Sequence, residues 1–115
     1  MRRGDICFAD LEPIKGSEAN KRRPVVVVSN DQANVSAASY GRGVITVVPL
    51  TSNTKRVLSF QVLLKAADTG LIKDSKAQAE QIRSLDVTRL GAVVGSVPPH
   101  LMGQIDDAMR LHLRL

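Results

Sequence analysis

Four consecutive valines, Val25 to Val28, follow the proline at position 24. An unbroken β-branched run offers no polar face to water, so a strand made from it is buried on both sides. Pro24 suits the first position of that strand, where an absent N–H breaks no ladder. Val44 to Val48 repeats the pattern and Pro49 stops it. The chain has 115 residues, 43% of them hydrophobic, which fits one globular domain over residues 1–115 that buries roughly two-thirds of its unfolded surface. A second domain has no room.

The other segments arrange themselves around these two strands. Ile6 to Ala9 is a short apolar run bounded by Gly4-Asp5 and by Asp10-Leu11-Glu12-Pro13, which predicts a first strand. Glu12 to Arg22 mixes Gly, Ser, Asn and charges without periodicity and reads as an exposed loop. Asn30 to Gly43, rich in Asn, Ser, Ala and Gly, is expected to hold one helical turn at most. Phe60, Val62 and Leu64 alternate with Gln61, Leu63 and Lys65, the period of a strand with a core face. Lys76 to Arg83 carries conflicting signals, helical by propensity and a strand by the wider arrangement. Asp86 to Leu90 reads as a capped turn closing at Gly91, and Ala92 to Val97 as another β-prone run. Pro98-Pro99 starts a helix with Leu101, Ile105, Ala108, Met109 and His112 on one apolar stripe. The expected fold class is α+β: a small barrel or strongly twisted sheet with a C-terminal helix and one or two short helices.

Several function classes are excluded or weakened by what the chain lacks. Cys7 is the only cysteine, so neither an intrachain disulfide nor a multi-cysteine zinc site can form, and it reads as a small buried hydrophobe. Met1-Arg2-Arg3 is followed by Asp5 and Asp10 rather than by the apolar core of a signal peptide, and no segment approaches a bilayer span. The cytoplasm is the default compartment. The net charge of +5 suits an anionic partner, nucleic acid or an acidic protein, and equally a solvated basic surface. Phe8, Tyr40 and Phe60 are the only aromatics, too few for a surface that stacks bases ring by ring.

A series of motifs runs through the chain in order. Arg3-Gly4-Asp5-Ile6, Asp10-Leu11 with Pro13, and Gly16-Ser17-Glu18 lead to Arg23-Pro24 and the valine run ending in Ser29-Asn30. Val48-Pro49-Leu50-Thr51-Ser52, Glu80 to Asp86, Gly95-Ser96-Val97-Pro98, and Ile105-Asp106 with Ala108 follow. Together they resemble the MazF/PemK toxin family of ribosome-independent endoribonucleases, over nearly the whole chain. The resemblance implies an SH3-like barrel with appended helices. It also implies a homodimer whose interface forms a groove for single-stranded RNA, and a cognate acidic antitoxin laid across that groove. Neither metal nor cofactor is expected.

RNA cleavage without a metal requires attack by the neighbouring 2′-hydroxyl, with charge building on the phosphate oxygens, so electrostatic stabilisation is the largest lever. Arg23 suits that task, since guanidinium stays charged and presents a planar fork matched to phosphate. On charge alone it is a surface arginine; its place before Pro24 and the resemblance favour catalysis. The resemblance assigns Thr51 a catalytic or phosphate-binding role, with Ser52 beside it, where residues alone would suggest a local turn bond. Glu18 is a candidate base, and Ser17 would hold phosphate or orient the loop. Gln81 would read a base edge or make a structural hydrogen bond, and Arg83 would meet phosphate or brace the barrel. Lys15, Lys21, Arg22, Lys55 and Arg56, in the flanking loops, would attract RNA in a salt-sensitive manner. His100 and His112 are assigned no catalytic role. Two other readings remain open: a toxin of the same fold that poisons DNA gyrase, and a non-catalytic RNA-binding or interaction module.

Overall fold

The computed structural model describes residues 1–115. Seven strands, β1 (Asp5–Asp10), β2 (Arg22–Val27), β3 (Val44–Thr51), β4 (Gln61–Leu64), β5 (Ser75–Gln78), β6 (Arg83–Asp86) and β7 (Leu90–Ser96), form one sheet. Its order is β4-β5-β3-β2-β1-β7, with β6 laid against β3. All pairs are antiparallel. Three helices complete the fold: α1 (Asp31–Tyr40), α2 (Ala66–Thr69) and α3 (Pro99–Leu113).

The eight-residue β3 is the hub. Val44–Val47 pair with β6, Val47–Pro49 with β2, and Leu50–Thr51 with β5. β6 and β5 thus follow one another along β3, and the sheet curls. Of the two expected forms, small barrel or strongly twisted sheet, the α+β fold takes an open, curled sheet, because β4 and β7 end its order without pairing to each other. Here α3 packs against β4 and closes the core.

The valine run is buried on both faces, as its composition requires. Val26 joins a cluster with Ile6, Val48, Leu50 and Leu64, covered by Leu101, Met102, Ile105 and Ala108 of α3. Val25 and Val27 point the other way, into a cluster with Cys7, Leu11, Ile45, Val47 and Leu85, under Ala37 of α1. All three valines are wholly buried, and each contributes about 1.5–3 kcal/mol of hydrophobic stabilisation.

Two expectations need correction. Asn30 to Gly43 holds a ten-residue helix, not a single turn. The Asn30 side chain caps it by accepting from Ala33 N at 2.9 Å, and Gly41 ends it with a φ of 63°. His112, expected within the apolar stripe of α3, is exposed. Its ring instead stands 6.0 Å from that of Phe60 at 45°. The conflict over residues 76–83 resolves as strand first: β5 pairs with both β3 and β4 and buries Ala77. A 3-10 turn, Ala79–Gln81, then leads into β6. Asp86 caps the second 3-10 turn, Val87–Arg89, and its hydrogen bonds from Thr88 hold its carboxyl below the usual range.

Candidate active site

Beyond the α3-covered core, the sheet's inner face opens into a cleft of about 550 Å3. Phe8 of β1, Arg22 to Pro24 of β2, Leu50 to Ser52 at the end of β3 and Val94 of β7 line it, with the connection between α2 and β5 as its outer wall. That wall rests directly on β7. A methyl group at Gly95 would lie 2.4 Å from the Thr69 carbonyl oxygen, so only glycine lets the two backbones approach so closely.

Strand register brings the two strand-end motifs together. Val25 faces Pro49 at the last pair of the β2–β3 ladder, and Arg22, Arg23, Thr51 and Ser52 lie just beyond that pair on the two chain segments. All four line the one cleft.

Arg23 is held in place by its own loop. Its Nε donates to the Asn20 carbonyl oxygen at 2.7 Å and its Nη2 to Asn20 Oδ1 at 3.1 Å. The outer N–H groups stay available to a ligand. Thr51 Oγ1 accepts from Asn53 N at 3.2 Å, which leaves the hydroxyl hydrogen to donate outward. Ser52 is exposed beside it.

Four cations, Lys21, Arg22, Arg23 and Lys73, line the cleft, and no carboxylate does. The two ion pairs of the structure, Arg3–Asp106 and Arg110–Asp107, lie elsewhere. The cleft therefore presents uncompensated positive charge, apolar below and cationic around, and it fits a polyanion. No His, Cys, Asp or Glu side chain lines the cleft, and the chain has no group of three or more such residues placed to hold a metal ion. Cys7 is buried, and desolvation followed by the charge of Asp5 pushes its thiol up, so it is no nucleophile.

Other expected site residues are placed differently. Glu18 stands outside the cleft, its Oε1 accepting from Lys15 N at 2.8 Å. Ser17 is also outside, and its carbonyl oxygen accepts from Gln81 Nε2 at 3.0 Å. The Gln81 Oε1 accepts from Ala19 N at 2.9 Å, so the amide braces the loop between β1 and β2. Arg83 likewise braces that loop through the Leu11 carbonyl oxygen at 3.3 Å. Lys15, Lys55 and Arg56 are exposed on the flanking loops, outside the cleft lining. Sequence reasoning missed Phe8, Asn20, Lys73 and Gly95, whose contributions arise from contacts across the fold. Only Asn20, three residues before Arg23, offered a local signal.

Comparison with known proteins bears on the family and the fold. The family described as PemK-like, MazF-like toxin of type II toxin–antitoxin system matches residues 2–113. The chain is 58% identical over 115 residues to the endoribonuclease MazF9 of Mycobacterium tuberculosis, covering 100% of this chain and 98% of that protein. It is 33% identical over 115 residues to the endoribonuclease EndoA of Bacillus subtilis, covering 100% and 96% respectively. Among solved structures, a mycobacterial endoribonuclease in complex with its cognate antitoxin matches with a TM-score of 0.77 at 27% identity, over 100% of this chain and 96% of that one.

Proposed function

The chain belongs to the PemK-like, MazF-like toxin family of type II toxin–antitoxin systems, and from that membership we propose that it is a toxin that cleaves single-stranded RNA. The endoribonuclease names of its relatives support the activity. One observation carries it to particular residues: Arg23 and Thr51 line a single cationic cleft from adjacent strands. We further propose a homodimer restrained by an acidic antitoxin, in keeping with the net charge of +5 and with the antitoxin-bound structural relative. Transcripts as substrate place its action in the cytoplasm. No helix is long and apolar enough to cross a membrane.

In the proposed reaction the 2′-hydroxyl attacks the adjacent phosphorus. A 2′-O–P bond forms, the P–O5′ bond breaks, the 2′-hydroxyl proton leaves and the 5′-oxygen gains one. The products are a 2′,3′-cyclic phosphate and a 5′-hydroxyl. Charge develops on the non-bridging oxygens, where the outer N–H groups of Arg23 meet it. Such a donor accelerates reactions by about 10²–10³-fold in comparable oxyanion sites. The Thr51 hydroxyl donates a second hydrogen bond and Ser52 supports it, while Lys21, Arg22 and Lys73 hold flanking phosphates. Arginine stays protonated at neutral pH, so Arg23 is a charge stabiliser and not the base. Glu18 enters as base only if RNA releases it from Lys15 N; otherwise water accepts the proton. The loops over residues 12–22 and 53–59 flank the cleft and are proposed to set sequence preference.

Purified protein incubated with a long transcript in chelator tests this reading. Discrete cuts with cyclic-phosphate and 5′-hydroxyl ends are expected. Intact RNA retained on the protein would reduce it to a binding module, and gyrase-dependent DNA breaks without RNA cleavage would redirect it to a topoisomerase poison.

A further inference from the structure

Arg22 is held by packing and not by hydrogen bonds. Its guanidinium carbon lies 5.7 Å from the centroid of the Phe8 ring, its diagonal neighbour across β1 and β2. On β7, a methyl group at Gly91 would lie 2.9 Å from Arg22 Nη2. Glycine weakens an exposed strand and commonly marks a close approach. What approaches here is the end of this side chain. No carboxylate pairs with Arg22, and unlike those of Arg23, its donors are not engaged by a loop residue. Its fork therefore reaches the cleft with its full set of N–H groups.

We propose that Phe8 and Gly91 are positioning residues that seat Arg22 as a second guanidinium, pre-set to grip a phosphate flanking the scissile linkage. This rests on the RNA-cleavage reading above and adds a division of labour to it. Arg23 is fixed by hydrogen bonds for the reacting phosphate, and Arg22 is fixed by an aromatic face and a glycine notch for its neighbour. Fixing a flexible arginine before binding lowers the ordering cost of the contact and so strengthens it.

The test uses the full chain and a fully 2′-O-methylated RNA, which lacks the attacking hydroxyl, with binding followed by fluorescence anisotropy across a salt series. Arg22→Ala is expected to weaken binding by about tenfold or more. It should also reduce the slope of log affinity against log salt by about 0.7, the value for one phosphate of a single strand. Gly91→Ala is expected to reproduce most of the lost affinity, because its methyl group displaces only the far end of a flexible side chain. Added to Arg22→Ala it should cost nothing more. Phe8→Leu serves as a second probe of the same seat and should lie between. On cleavable RNA, Gly91→Ala should raise KM and leave kcat within about twofold, as expected for uniform binding. Wild-type affinity in Gly91→Ala and Phe8→Leu, or an unchanged salt slope in Arg22→Ala, would overturn the proposal. So would a changed assembly state in these variants, which would assign the seat to a subunit interface. Wild-type protein that binds RNA without cutting it, with the seat effects intact, would overturn the nuclease reading and leave the seat standing.

Discussion

At the scale of the residue, the site depends on how each cation is held. Arg23 combines a half-buried position with two bonds to Asn20, which fix the guanidinium plane beside the cleft. Asn20→Ala removes the Oδ1 partner and leaves the backbone one. A hydrogen bond to a charged group contributes about 1.5–3 kcal/mol, so single-turnover cleavage should slow by roughly tenfold or more with little change in RNA affinity. A rate equal to wild type would mean that the guanidinium needs no such orientation. The candidate roles of Arg23 and Thr51 came from the family resemblance, with their places beside apolar runs in support. The roles of Phe8 and Gly91 were not legible in the sequence, since neither is remarkable until β1, β2 and β7 lie side by side. Gln81 illustrates the reverse: an amide suited to reading bases is occupied by the backbone of a loop far away in sequence.

At the scale of the element, strands announced themselves and one helix did not. The run Val25 to Val28 admitted only a buried strand, and the structure divides it between both core clusters. α1 was hidden because a polar residue fills a core position. Asn34 is wholly buried. Its Nδ2 donates to the Ser29 carbonyl oxygen at 2.8 Å, and its Oδ1 accepts from Ser29 Oγ at 2.5 Å. Ser29 Oγ in turn accepts from Thr46 N at 3.1 Å, so the network ties α1 to β3. Periodicity of apolar residues cannot detect a helix docked through a buried amide. Asn34→Ala leaves the half-buried Ser29 carbonyl and hydroxyl hydrogen without their Asn34 partners, and a loss of about 1–3 kcal/mol in unfolding free energy is expected from denaturant titration. A loss within about 0.5 kcal/mol, the usual range for surface substitutions, would show that the network does not anchor the helix. Residues 76–83 were ambiguous for a related reason: local propensity favoured helix, and pairing on both edges of β5 decided for strand.

At the scale of the whole molecule, the cleft exists only because distant segments share one curled sheet. β2 and β3 are joined through α1, the wall between α2 and β5 arrives later in the chain, and β7 closes the far side. The unpaired cations of the cleft sit within a net charge of +5, which favours a polyanion at the cleft where Arg23 and Thr51 stand together. The account stands on those two groups acting on the same phosphate. A double-mutant cycle on single-turnover RNA cleavage, with Arg23→Ala, Thr51→Ala and the pair, tests that most directly. Residues that act as a unit are strongly non-additive, so the double variant should cleave at about the rate of the slower single variant. Rate losses that multiply independently, or either single variant cleaving at the wild-type rate, would contradict the account.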